Sequence, residues 1–221
     1  MVLHRQVAGY FLGQPEEGHA ACVEACLQGE YKFTGTYIHR ALAGVDTAVL
    51  DLRARRAGVP VCALFGGRAG PIPAYGSSMR RDLNAEQMAG LLVDLQQRDG
   101  YGAFKIKIGG RLGRGEDAWP GRTEAVVAGV RAAVAPGTKL IADANGSYGA
   151  LGAIRVAKEV LEPAGIAMLE EPCPYWDIEG TRSVAEALEM PVSGGEQDFE
   201  WHQWRRIVEG RCVDLVQPDL C

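Results

Sequence analysis

The chain has 221 residues, of which 47% are hydrophobic, and a formal net charge of −5. This length allows one or two domains with a sizeable core, and mild acidity without a basic run argues against nucleic acid as a partner. No stretch is apolar for long enough to span a bilayer, and residues 1–20 lack the apolar core of a signal peptide, so we expect no membrane contact and a cytoplasmic location. The six cysteines form no CxxC pair, which favours reduced thiols over a disulfide framework or a zinc site.

In the first third of the chain, apolar residues recur at the spacing that is typical of helices. Residues 15–29 and 37–57 are predicted helices, and the second is ended by Gly58-Val59-Pro60. Pro71 and Pro73 follow and predict a domain boundary. We therefore expect a mostly helical domain over residues 1–70 and a second domain over residues 71–221.

The second domain alternates short apolar runs with helical stretches. The predicted strands are 72–76, 103–108, 139–144, 167–172, 191–196 and 213–218, with helices near 84–98, 121–134, 149–162, 178–188 and 200–209. This alternation predicts a parallel sheet, either doubly wound or a (β/α) barrel. No GxGxxG follows the first strand, and charged residues come at the ends of successive strands, as at the rim of a barrel. Both features favour the barrel.

Two lysines lie two residues apart in the predicted strand AFKIKI. Side chains alternate along a strand, so Lys105 and Lys107 share one face, while Phe104, Ile106 and Ile108 take the other. Two ammonium groups buried side by side require an anion between them. The alternative is an edge strand with its lysines in water, which is the commoner case for an isolated KxK motif.

Three acidic residues end three different predicted strands. They are Asp143 in ADAN, Glu170 in LEEP and Glu196 in GGEQ. Three carboxylates at one rim repel one another unless a hard cation lies between them, and all-oxygen ligands favour Mg²⁺, or Mn²⁺, over zinc. Each acid alone is a common strand-end or N-cap residue, but the three in successive units predict a metal site. Asn145 either supports the metal through a water or serves the Asn-Gly turn.

Together these motifs resemble the mandelate racemase and muconate lactonising enzymes of the enolase superfamily. Residues 41–66 are similar to the signature helix of that family, with Val49 as a mild departure. Its lysine motif and its three metal ligands are matched in order by Lys105-x-Lys107, Asp143-x-Asn145, Glu170-Glu171-Pro172 and Gly194-Gly195-Glu196. Asp219, in QPDLC, resembles the acid that orients a catalytic histidine. The resemblance covers about residues 31–221.

The family fold joins a capping domain to a modified eight-stranded barrel. The resemblance therefore implies the C-terminal part of an α+β capping domain, followed by an incomplete (β/α) barrel of about six strands. The histidine that would pair with Asp219 belongs on a next strand, and the first part of the capping domain would precede Met1. We accordingly expect a chain truncated at both ends, and a homo-oligomer for the intact protein.

The resemblance also implies removal of the proton next to the carboxylate of a small-molecule substrate, with Mg²⁺ as cofactor. Lys107 would be the base, Lys105 would contact the substrate carboxylate, and Asp219 would serve the opposite face with its histidine. The metal would be held by Asp143, Glu170 and Glu196.

The type of reaction is left open by the motifs. GGEQ, DANGSY and the segment 76–82 look most like acid-sugar dehydratases, which convert an aldonate or aldarate to a 2-keto-3-deoxy acid. Racemisation or epimerisation of a 2-hydroxy acid or amino-acid derivative ranks second, and cycloisomerisation third. An inactive metal-binding fragment without the histidine is a further alternative. Arg80 and Arg81 are interpreted as part of a solvated loop rather than as ligands of a distal hydroxyl or carboxylate.

Overall fold

The computed structural model describes residues 1–33 and 35–219, which form two compact units. The first unit contains Met1–Ile72 together with Asp219, and the second is Pro73–Pro218. No helix among the described residues is both long and apolar enough to cross a membrane.

The first unit is helical in its described residues. Its α-helices are α1 (His19–Gly29), α2 (Thr36–Ala57) and α3 (Val61–Leu64), and shorter 3₁₀ or π turns cover Leu3–Val7, Ala8–Tyr10, Glu16–Gly18 and Tyr31–Phe33. A small core contains the buried side chains of Val7, Cys26, Ile38 and Leu42. The predicted end of α2 is confirmed, because Gly58 has a φ of 65°. Glycine adopts this left-handed conformation without steric cost, and its N–H caps the helix by donating to the Arg55 carbonyl at 3.2 Å.

The second unit contains one sheet of six parallel strands, ordered as they occur in the chain. The strands are β1 (Gly76–Ser77), β2 (Ala103–Lys107), β3 (Lys139–Asp143), β4 (Met168–Glu170), β5 (Val192–Gly194) and β6 (Leu215–Val216). The helices are α4 (Ala85–Asp99), α5 (Arg122–Ala133), α6 (Ala150–Val156) with a π-helical continuation (Ala157–Leu161), α7 (Ile178–Ala187) and α8 (Trp201–Glu209). The predicted parallel α/β architecture is confirmed. Within the described residues β1 and β6 do not pair, so the barrel is not closed.

The two faces of the sheet carry different chemistry. Phe104, Ile106 and Leu140 are completely buried on one face, in a core that also contains Met88 of α4 and Val130 of α5. Strand β2 is paired on both sides, with β1 and with β3. Its lysines are therefore not on an edge strand in water, and this alternative interpretation of the KxK motif is wrong.

The first strand was predicted at 72–76 but begins only at Gly76. Pro73 has no N–H to donate to a ladder, so pairing with β2 starts after it. Gly76 also lies in register with Phe104, and a Cβ at position 76 would come within 2.9 Å of that ring. Glycine thus permits the close approach of β1 to β2.

Candidate active site

A row of polar side chains crosses the face of the sheet opposite the helices. In register, Lys107 lies beside Asp143, Asp143 beside Glu170, and Glu170 beside Ser193. Residues in register on neighbouring parallel strands project to the same side of the sheet. The exposed fractions are 6% for Lys107, 1% for Glu170 and 0% for the other two. Four consecutive strands therefore place buried polar groups at one level.

The two lysines neutralise the two acids of this row. Lys105 Nζ lies 2.5 Å from Glu170 Oε1 and 3.2 Å from Asp143 Oδ2. Lys107 Nζ lies 2.5 Å from Asp143 Oδ2 and 2.8 Å from Asn145 Oδ1. Buried charges are tolerated when each has a partner at such distances, so the four groups form one compensated cluster. We call Lys105, Lys107, Asp143 and Glu170 the charge cluster.

The surroundings of Glu170 and Lys105 within the charge cluster shift the pKa values of both groups. Burial and the neighbouring Asp143 raise the pKa of Glu170, although the hydrogen bond from Lys105 opposes this shift. Burial acts to lower the pKa of Lys105, but its hydrogen bond to Glu170 and the charge of Asp143 outweigh burial and raise it. Lys105 therefore keeps its proton at neutral pH, which suits a group that binds an anion.

Asn145 connects the charge cluster to the loops around it. Its φ of 44° and the φ of 68° at Gly146 show that it serves the predicted turn. Its Oδ1 also accepts a hydrogen bond from Arg81 Nη2 at 2.9 Å, and its Nδ2 donates to Glu171 Oε2 at 2.9 Å. Arg81 is therefore tied to the site rather than free in a solvated loop, contrary to our interpretation of the sequence. A role of Asn145 toward a metal stays a prediction.

Arg122 supports the strand that carries the lysines and was missed by the sequence analysis. It is 1% exposed, and its guanidinium donates to the carbonyls of Lys107 at 2.9 Å, Arg80 at 3.3 Å and Leu83 at 3.3 Å. Trp119 lies against the same guanidinium, at 5.2 Å from Cζ to the ring centroid. One buried side chain thus joins the end of β2 to the loop that follows β1.

Two of the predicted site residues are not part of the charge cluster. Glu196 is exposed on a turn two residues beyond the end of β5. Asp219 belongs to the first unit, where its Oδ2 lies 3.3 Å from Arg40 Nη2. Across residues 1–33 and 35–219, no group of three or more His, Cys, Asp or Glu side chains is arranged to hold a metal ion. The ligand role of Glu196 and the catalytic role of Asp219 stay predictions.

Asp143 and Glu170 nevertheless fit a hard cation. Both are buried carboxylates on paired strands, which are the donors that Mg²⁺ prefers. Glu170 Oε2 is buried without a hydrogen-bond partner of normal geometry among the described residues. A buried carboxylate oxygen without a partner is costly, and a cation would satisfy it.

Comparison with protein families covers nearly the whole chain. Residues 1–66 match the mandelate racemase/muconate lactonizing enzyme N-terminal domain, and residues 87–221 match the enolase C-terminal domain-like family. The chain belongs to the mandelate racemase/muconate lactonizing enzyme family. The resemblance inferred from the sequence motifs is confirmed. The relatives of the chain are enzymes.

The relatives of this family member include enzymes of sugar-acid chemistry. D-galactarolactone cycloisomerase of Agrobacterium fabrum is 33% identical over 189 residues, which is 82% of this chain and 46% of the relative. L-talarate/galactarate dehydratase of Salmonella typhimurium is 28% identical over 182 residues, or 81% of this chain and 43% of the relative. The chain therefore spans about half the length of the curated relatives it matches.

Solved structures of the family have the same fold. A protein of Roseobacter denitrificans, provisionally assigned as a racemase, superposes with a TM-score of 0.94 at 43% identity, covering 99% of this chain and 59% of that one. An enolase from Bradyrhizobium, solved with magnesium and mandelic acid, has a TM-score of 0.85 at 27% identity, covering 99% and 58%. Magnesium is thus bound by a structural neighbour of this chain.

Proposed function

We propose that this protein removes the proton on the carbon next to a carboxylate, with Mg²⁺ as cofactor, and that its reaction is dehydration of an aldonate or aldarate to a 2-keto-3-deoxy acid. The observation that carries the proposal is the buried charge cluster, in which two lysines and two acids meet on one face of the sheet. The sugar-acid dehydratase among the relatives supports this substrate class.

The two lysines have different tasks in this proposal. Lys105 stays protonated and pairs with the substrate carboxylate, which it can reach by releasing Glu170. Lys107 acts as the base that accepts the proton from the neighbouring carbon, while Asn145 fixes the position of its Nζ through the bond at 2.8 Å. Departure of the β-hydroxyl as water then leaves an enol, which tautomerises to the 2-keto acid.

Asp143 and Glu170 would hold the metal, and Glu196 is proposed as the third ligand. When bound, Mg²⁺ would stabilise the negative charge that develops on the substrate carboxylate as the proton leaves. Asp219 is proposed to orient a histidine that protonates the departing hydroxyl, and the intact protein is proposed to be a homo-oligomer.

Racemisation is the second candidate, because the Roseobacter denitrificans structure, at 43% identity, is provisionally assigned to that activity. Both reactions begin with the same proton transfer. They differ in product, since a racemase returns a proton to the same carbon and a dehydratase expels the β-hydroxyl.

Exchange of the α-proton in deuterated water tests the shared step, because it requires only one base. Galactarate, galactonate, gluconate and mandelate are incubated with the chain and MgCl₂, and the α-proton signal is followed by NMR. We expect this signal to disappear with at least one sugar acid, and Lys107→Met to abolish the loss. Lys158→Met, at an exposed lysine on a helix, is the matched control and retains exchange.

The outcomes separate the candidates. Exchange accompanied by a 2-keto product supports dehydration, whereas exchange with inversion and no keto product supports racemisation. If none of the four acids exchanges, or if Lys107→Met exchanges as fast as the unmodified chain, the proposed function is wrong.

A further inference from the structure

A cavity of about 340 Å³ lies in the second unit, between the loops after β4 and β5 and the helices α7 and α8. Its wall is mostly apolar, with Leu112, Ile178, Ile207 and Val213 among the lining residues. This volume is within the range of cavities that hold small organic ligands. None of these four side chains belongs to the charge cluster, but Asn145 and Ser193 also line the cavity, so it adjoins the candidate active site.

Two buried carboxylates line this apolar cavity. Glu171 and Asp198 are each 6% exposed. Neither forms an ion pair with a described lysine, arginine or histidine, although the Gln197 side chain acts on Glu171 and the charge of Arg206 acts on Asp198. Glu171 Oε1 is buried without a hydrogen-bond partner of normal geometry among the described residues.

The chemistry of the cavity defines the ligand that it suits. A buried carboxylate oxygen without a donor is unfavourable, and a ligand that donates a charge-assisted hydrogen bond would compensate it. The apolar wall favours a hydrocarbon group on the same ligand.

We propose that this cavity binds a small organic cation, namely a primary ammonium group on a compact hydrocarbon body, with the ammonium at Glu171 Oε1. Asp198, the second buried carboxylate at the lining, adds a second negative charge. Glu171 Oε2 already accepts from Asn145 Nδ2, and Asn145 Oδ1 accepts from Lys107. An ammonium at Glu171 is therefore two hydrogen bonds away from Lys107.

Methyl NMR of isoleucine-labelled protein tests the proposal at neutral pH. Benzylammonium chloride is titrated against benzyl alcohol, a neutral molecule of nearly the same shape. We expect the methyl signals of Ile178 and Ile207 to shift, while Ile38, in the core of the first unit, stays unchanged as an internal control. Because a charge-assisted hydrogen bond is gained only by the cation, it should bind about tenfold more tightly than the alcohol.

Substitution of the carboxylate gives the decisive comparison. Glu171→Gln keeps an oxygen that can accept from Asn145 but removes the charge, and we expect it to abolish most of the preference for the cation. Glu159→Gln, at an exposed glutamate, is the matched control and keeps the preference. The proposal is overturned if both ligands bind equally to the unmodified protein, if neither shifts Ile178 and Ile207, or if Glu171→Gln retains the tenfold preference. These outcomes do not depend on α-proton exchange at the candidate active site.

Discussion

Replacing Lys105 by methionine tests whether the charge cluster is one electrostatic unit. Its ammonium lies 2.5 Å from Glu170 Oε1 and 3.2 Å from Asp143 Oδ2, and the side chains of all three residues are at most 10% exposed. Methionine preserves the length of the side chain but leaves Glu170 without its cation, whereas Asp143 keeps Lys107. Removing one partner of a buried ion pair typically costs about 3–5 kcal/mol. Since only one of the two acids is left uncompensated, we expect a loss of about 3 kcal/mol.

Urea unfolding followed by tryptophan fluorescence measures this loss in the second unit, because all four tryptophans lie in it. Lys139→Met, at an exposed lysine of β3, serves as control and should change the unfolding free energy by less than about 0.5 kcal/mol. Glu170→Gln and the double variant complete a cycle, in which we expect a coupling energy of at least about 1.5 kcal/mol. Additive effects within about 0.5 kcal/mol would refute the idea of a coupled cluster.

Two further predictions concern single residues in the second unit. Gly195 has a φ of 108°, and a Cβ there would lie 2.3 Å from the Trp204 ring, so Gly195→Ala should lower the free energy of unfolding by about 2 kcal/mol or more. Gly90 lies in open space on α4, so the control Gly90→Ala should instead raise the free energy of unfolding by about 0.5–1 kcal/mol. Equal effects of the two substitutions in urea unfolding would contradict this expectation. Burial raises the pKa of Cys173 to about 11. Only the thiolate reacts, so the rate at which iodoacetamide alkylates Cys173, followed by mass spectrometry, should rise about tenfold per pH unit between pH 8 and pH 10. A rate independent of pH would count against a buried, protonated thiol.

The charge cluster was predictable because strand periodicity and parallel pairing fix where its residues point. Lys105 and Lys107 share a face by alternation, and Asp143 and Glu170 end neighbouring strands, so four residues far apart in sequence meet. Glu196 follows Gly194 and Gly195, where the strand has ended and the backbone has unusual freedom. Its direction therefore could not be inferred from periodicity.

Long-range contacts to loops were not predictable either. The bond from Arg81 to Asn145 joins residues 64 positions apart, and it depends on the path of a loop rather than on a repeating pattern. The start of β1 was misplaced for a local reason, since a proline inside the predicted strand cannot donate to its neighbour. Ser193 could have been found, because it lies in register with Glu170 on the next strand.

The contacts of Arg122 have a mechanical consequence. Its single guanidinium donates to the carbonyls of Arg80, Leu83 and Lys107, so one side chain ties the loop after β1 to the end of β2. A change in the path of that loop would therefore be transmitted to the backbone carbonyl of Lys107. The position of the proposed base, Lys107, is thus set by Arg122 as well as by the strand on which it lies.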